Sequence, residues 1–163
     1  MSGFVLRPGT AADEAAVLAL NNAQVPHVNA LTAEQLRTIV AMAAYYLVAE
    51  DAEGLAGFVL CIPSGTDYWS ENYAWFSSRY AEFLYLDRVV TAPRTQRRGV
   101  GRAMYTALHE WLPGRWPRVA LEVNLRPPNP VSIAFHEAMG YVPVGVREYA
   151  DGASAVQMFV REA

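Results

Sequence analysis

Val89-Val90-Thr91-Ala92-Pro93-Arg94-Thr95-Gln96-Arg97-Arg98-Gly99-Val100-Gly101-Arg102-Ala103 is the stretch on which the reading of this chain turns. The apolar, β-branched run through Thr91 predicts a strand over 83–91, Ala92-Pro93 ends it, and two glycines open a helix predicted over 99–112. Backbone N–H groups at a helix start lack an intrahelical acceptor, and the helix dipole adds partial positive charge there. Gly99 and Gly101 carry no Cβ, so a diphosphate can approach those donors closely. Arg94, Arg97, Arg98 and Arg102 fall within a few residues that include no acid, and guanidinium groups add charge-assisted hydrogen bonds to phosphate.

Two familiar phosphate motifs fail on this stretch. A P-loop needs a lysine followed by Ser or Thr, and all 13 basic residues of the chain are arginine. The dinucleotide fingerprint needs a third small residue, where this sequence has Met104, and the loop 91–96 is longer than a Rossmann first turn.

A second patterned stretch follows: Leu121-Glu122-Val123-Asn124, then Asn129-Pro130-Val131-Ser132-Ile133-Ala134-Phe135-His136-Glu137-Ala138-Met139-Gly140-Tyr141. Asn129 suits a helix N-cap and Pro130 the first helical position, while Gly140 suits a left-handed C-terminal residue. A strand over 119–124 and a helix over 130–139 are therefore expected.

Together the two stretches resemble the GNAT superfamily of N-acetyltransferases. Gln96-Arg97-Arg98-Gly99-Val100-Gly101 is similar to its acetyl-coenzyme A signature, Gln/Arg-x-x-Gly-x-Gly/Ala. The Leu-Glu-Val strand, Asn-initiated helix and Gly-Tyr turn are similar to its second hallmark. The resemblance covers roughly the central and C-terminal two-thirds of the chain. It implies a mixed α/β (α+β) fold, a central sheet of six or seven strands with about four helices, splayed between the strands at 83–91 and 119–124. It also implies acetyl-CoA as cosubstrate without a metal. The backbone of Val89, Val90 and Thr91 would pair with the pantetheine arm, and Gln96, Arg97, Arg98, Gly99, Val100, Gly101 and Arg102 would hold the diphosphate. Asn129, Ser132 and Phe135 match positions near the lower pantetheine and sulfur.

The implied chemistry is direct attack of an amine on the thioester. An amine resembling lysine has a pKa of about 10.4 and arrives protonated, so a base is needed, and the departing thiolate needs a proton or a donor. Glu122 matches the glutamate that serves as base in ribosomal-protein acetyltransferases of the family. Asp87 occupies a strand position where other members place a base, and by alternation shares a face with Tyr85 and Val89. Structural alternatives stand beside both: an ion pair or hydrogen bond for Glu122, and pairing with Arg88 or Arg126 for Asp87. The family's leaving-group acid is usually a tyrosine seven residues after the capping asparagine, and that position holds His136, a catalytic acid or a helix-surface residue. Tyr141 reads as core. Acceptor contacts would come from 21–31, from the aromatic segment 67–80, and from 147–151. Aromatics there can hold an apolar or cationic amine, or pack a long loop on the sheet.

The rest of the chain fits this frame. At 163 residues, with 53% hydrophobic and 18% charged, a single folded domain over 1–163 is expected rather than disorder. The lone Cys61, in an apolar run, reads as a buried hydrophobe and excludes an internal disulfide. No apolar run reaches membrane-spanning length, and 1–7 lack the features of a secretory signal, so a cytoplasmic protein is expected. Strands are expected at 4–7, 46–50, 55–62, 141–149 and 155–161. The helix after Thr10 should end at Asn21-Asn22, and Thr32-Ala33-Glu34-Gln35 is a capping box for a second helix. The segment 63–80 has no clear period. Two other function classes remain: a non-catalytic coenzyme-A-binding sensor or interaction module, which keeps the loop without a competent base, and nucleic-acid binding through the arginines. A net charge of −3 with one basic loop argues against the latter. Acetyl-CoA and an amine are the expected partners, with neither nucleic acid nor membrane, and a monomer or a homodimer fits.

Overall fold

The computed structural model describes residues 3–163. Seven strands form one mixed sheet in the order β1-β2-β3-β4-β5-β7-β6, with five α-helices. The chain divides into two compact units, Met1–Pro63 with Leu86–Trp111, and Ser64–Tyr85 with Leu112–Ala163.

The first unit carries β1 (Phe4–Pro8), β2 (Tyr45–Asp51) and β3 (Gly54–Pro63), antiparallel neighbours, with the later residues of β4 (Leu84–Thr91). β3 reads as a near-continuous apolar run, and the structure buries it from Ala56 to Ile62. Helices α1 (Glu14–Ala23), α2 (Ala33–Met42) and α4 (Val100–Trp111) pack on β3 through stripes including Val17, Leu36, Ile39, Met104 and Leu108, all at most 1% exposed. The Thr32 box forms as read: Gln35 N–H donates to Thr32 Oγ1 at 3.1 Å, and Thr32 N–H to Gln35 Oε1 at 2.9 Å. Helix α1 does not break at Asn21-Asn22 but runs to Ala23. Those two asparagines reach across to the following loop. Asn21 Nδ2 donates to Asn29 O at 3.0 Å, and Asn22 exchanges two 2.9 Å bonds with Leu31. A pair of turn-forming residues at a helix end thus fastens the loop instead of ending the helix.

The second unit carries Leu84 and Tyr85 of β4, β5 (Arg118–Arg126), β6 (Val142–Tyr149) and β7 (Ser154–Glu162), with helices α3 (Glu71–Ser77) and α5 (Pro130–Ala138). Leu84 pairs in parallel with Val119, and Tyr85 with Ala120. β5 pairs antiparallel with β7, and β7 with β6. Helix α3 is the element that periodicity did not disclose, and it makes the helix count five where about four were expected. Ser70 caps it by accepting from Tyr73 N–H at 3.2 Å. Seven residues are too few to display a stripe, and aromatics on both sides hide the two that point inward, Tyr73 and Phe76.

One glycine leaves room on β3 for the backbone of β4 and for a side chain of α4. A Cβ at Gly57 would stand 2.8 Å from the carbonyl oxygen of Val90 and 3.0 Å from Met104 Cε. The neighbour is backbone, so the constraint is space and cannot be relieved by a rotamer. Gly57→Ala is expected to destabilise the protein by about 1–3 kcal/mol, seen as a lower urea midpoint with an unchanged slope.

Candidate active site

The phosphate loop leaves β4 at Thr91 and makes a 3-10 turn over Pro93–Thr95. Thr95, 2% exposed, locks the turn: its hydroxyl donates to Ala92 O at 2.6 Å and its N–H to the same oxygen at 2.9 Å. Arg97 (φ 68°) and Gly99 (φ 79°) then take left-handed conformations that swing the chain into α4. The first helical bond runs from Ala103 N–H to Gly99 O, so the N–H groups of Val100 and Gly101 lack an intrahelical acceptor. Nothing lies within 4 Å of where a Cβ on Gly99 would sit, and only the Thr91 methyl, at 3.7 Å, approaches that of Gly101. Open space over paired glycines at a helix N-terminus is the cradle a diphosphate requires.

Two of the four arginines are tied to the turn between β2 and β3. Arg94 is bound to Asp51 and Glu53 and donates to Leu55 O at 3.0 Å. Arg98 meets the same Asp51 oxygen at 3.0 Å and donates to Gly3 O at 3.3 Å. Both therefore brace the loop on the turn between β2 and β3. The Arg94 hydrogen bond, followed by the Glu53 N–H and then Arg98, holds the Asp51 carboxyl well below the usual carboxylate range. Arg97 and Arg102 are exposed.

The two candidate bases have different surroundings. Asp87 Oδ2 accepts from Arg88 Nε at 2.8 Å, and the side chains are 5% and 9% exposed. Arg88 also donates to Asn21 Oδ1 at 3.0 Å and Asn29 O at 3.3 Å, so this pair anchors the α1–α2 loop. Arg126, the other partner weighed for Asp87, instead meets Glu148 at 2.7 Å. Glu122, half-buried on β5, accepts a hydrogen bond at Oε1 from the Tyr85 hydroxyl. Sequence reasoning placed Tyr85 only as a strand neighbour. The available signal was the density of aromatics just upstream, a sign that Tyr85 would be enclosed.

Helix α5 begins as read. Asn129 Oδ1 accepts from Ser132 N–H at 3.3 Å, with Pro130 first in the helix. His136 is neither a surface residue nor open to solvent. It is 6% exposed, stacked on Phe159 and edge-on to Tyr141 and Phe135. Its Nδ1–H donates to Ser132 O at 2.7 Å, with Ser132 Oγ at 3.3 Å. Burial pushes its pKa down, only partly opposed by that backbone bond, so the neutral ring is favoured. Tyr141 is core, at 3% exposure. Cys61 is buried, and burial pushes its thiol up, as expected for an inert hydrophobe. Among the described residues no three His, Cys, Asp or Glu side chains gather as a metal site, and no helix is long and apolar enough to cross a membrane.

The His136 arrangement carries a pH signature. Its folded pKa lies below the unfolded value near 6.5, so the unfolded chain takes up the proton first. Its contribution is fully present above about pH 6.5 and is lost as pH falls toward the depressed folded value. Wild-type unfolding free energy should therefore decline from pH 7 toward pH 5 more steeply than that of His136→Leu, measured by urea titration at each pH.

Comparison with known proteins places this geometry. The family description "Acetyltransferase (GNAT) family" matches residues 17–141. No curated protein matches the sequence. Among solved structures, the ribosomal-protein-S18-alanine N-acetyltransferase of Escherichia coli superposes with TM-score 0.73 at 17% identity, over 98% of this chain and 93% of that one. Arabidopsis thaliana NAA60, in complex with acetyl-CoA, gives 0.75 at 18% identity over 98% of both chains. A GNAT acetyltransferase of Streptococcus pneumoniae gives 0.73 at 20% identity, again over 98% of both. Likeness at that identity is a likeness of fold, whereas the family match rests on this chain's own residues across three-quarters of its length, and by it the protein belongs to the GNAT acetyltransferase family.

Proposed function

We propose that this protein is an N-acetyltransferase that moves the acetyl group of acetyl-CoA directly onto an amine, with Glu122 as the base. The observation carrying the cofactor half is the open cradle at Gly99 and Gly101, where the first N–H groups of α4 lack helical acceptors. The diphosphate binds there, with Gln96 and the side chains of Arg97 and Arg102, while Arg98 holds the loop through Asp51. The backbone of Val89, Val90 and Thr91 receives the pantetheine arm, and the first turn of α5, with Asn129, Ser132 and Phe135, lines its thiol end. NAA60 being crystallised with acetyl-CoA supports the same assignment.

The reaction forms a C–N bond and breaks the C–S bond. Glu122 takes a proton from the arriving ammonium directly or through water, the freed amine attacks the thioester carbon, and the second proton of the nitrogen passes through solvent to the departing thiolate as the C–S bond breaks. Glu122 suits the task better than Asp87. It accepts from a neutral phenol, a bond that survives protonation, whereas a proton on Asp87 would break its ion pair with Arg88. His136 supports α5 in this reading, because a buried neutral ring whose Nδ1–H is given to a carbonyl is a poor acid.

Calorimetry with acetyl-CoA, on wild type and on Gly99→Trp, tests the cradle. Micromolar binding by wild type and a loss of about tenfold or more in the variant are expected. Turnover is then read as thiol release with peptide α-amines and small primary amines. Glu122→Gln should bind acetyl-CoA as wild type does and lose about 100- to 10,000-fold in rate. Tight binding with no thiol release to any amine would instead mark a coenzyme-A-binding sensor.

A further inference from the structure

We propose that Tyr85 is a positioning residue that holds the Glu122 carboxylate ionised and fixed in orientation, and that the aromatic segment 68–83 serves to hold Tyr85. The inference rests on Glu122 being the base.

Tyr85 is 2% exposed, and a phenol buried to that degree needs a hydrogen-bond partner. Its partner is Glu122 Oε1. The ring that carries this hydroxyl is enclosed by other aromatics. Tyr73, from α3, meets it edge-on at 5.6 Å and 82°. Phe76, one helical turn later, lies 6.0 Å away, and Tyr68 6.4 Å away. Tyr73 is itself fixed, its hydroxyl accepting from Thr66 N–H at 3.0 Å while its ring meets Phe83 at 5.4 Å. A ring enclosed in this way keeps its hydroxyl pointing one way.

The effect on Glu122 follows from the charge of the two partners. A donor to a carboxylate stabilises the ionised form and leaves the net charge on the group, unlike a guanidinium. Facing Glu122 from β7 is its register partner Met158, buried and uncharged. Among the described residues, the titratable side chains whose rings meet Tyr85 are Tyr73 and Tyr68, and Asp87, two residues on in β4, is held by Arg88.

The test is a titration of the Glu122 side-chain carboxyl by 13C NMR in glutamate-labelled protein, the signal assigned by its loss in Glu122→Gln. In Tyr85→Phe the midpoint should rise by about one pH unit, since a hydrogen bond to a charged group has been removed. In Tyr73→Phe, which removes a neighbouring hydroxyl bonded to Thr66, it should stay in place. A midpoint that is unchanged or lower in Tyr85→Phe, or equally moved in Tyr73→Phe, overturns the proposal. Should Tyr85→Phe fold poorly, the 13Cζ signal of Tyr85 in wild type supplies the same answer: it must follow the Glu122 titration, and failure to do so overturns the proposal. Thiol release from acetyl-CoA, with an Ala-initiated hexapeptide and ethylamine as amine probes, separates the two claims. Wild-type rates in Glu122→Gln sink the base reading and the catalytic role of Tyr85 with it, whatever the titration gives. An inactive Glu122→Gln, beside a Tyr85→Phe whose acid limb of kcat/KM has not moved upward, leaves the base standing and removes Tyr85 from the mechanism.

Discussion

The end of β4 and helix α4 both come close to β3 at residue 57, where a glycine leaves room for them. The Val90 carbonyl and the Met104 methyl occupy the space a Cβ would need. Where α4 lies decides where its first turn begins, and the first turn is what an anion meets. The same contact touches β4 at Val90, one residue before the strand gives way to the loop. Depth of packing, strand end and helix start are therefore one constraint in the first unit. It is steric, and in a close-packed interior steric constraints do not relax by small rotations.

Electrostatics then stiffen what packing has placed. Asp51, closing β2, gathers Arg94 and Arg98 on one carboxylate oxygen. Two guanidinium groups that a reading of charge alone would direct outward are turned onto the β2–β3 turn. The positive site is accordingly smaller than four arginines suggest, and more ordered. Left-handed backbone at Arg97 and Gly99 persists because the residues on either side are tied down, by the Thr95 turn before it and the helix after it.

Much of this was legible in the sequence, and the parts that were not share a cause. The strand–loop–helix at 89–112, the Thr32 box and the Asn129 cap are local: each is written in a few adjacent residues whose partners lie within one turn. The motifs on them carried the family as well. Helix α3 and the Asn21–Asn22 latch are tertiary facts. Tyr73 and Phe76 look like two more aromatics among many until Phe83 and Tyr85 are known to lie beneath them. Asn21 looks like a helix terminator until the Asn29 carbonyl and Arg88 are known to face it. His136 read as a catalytic acid or a helix-surface residue, and its burial was hidden for the same reason, because Phe159, which covers it, is 23 positions away in the chain.

The two carboxylates show why motif position and local partner must be read together. Asp87 and Glu122 both sit on strands where a family base can stand, and both are hydrogen-bonded. What separates them is the cost of accepting a proton. Protonated, Asp87 gives up an ion pair with Arg88, and Arg88 in turn holds Asn21 and Asn29, so one proton would loosen a loop as well as a bond. Protonated, Glu122 retains a carbonyl oxygen that can still accept from Tyr85. A base must gain and lose its proton in every cycle without disturbing what surrounds it. As the proposed base, Glu122 meets that requirement, because the Tyr85 hydroxyl can donate to it in both of its protonation states.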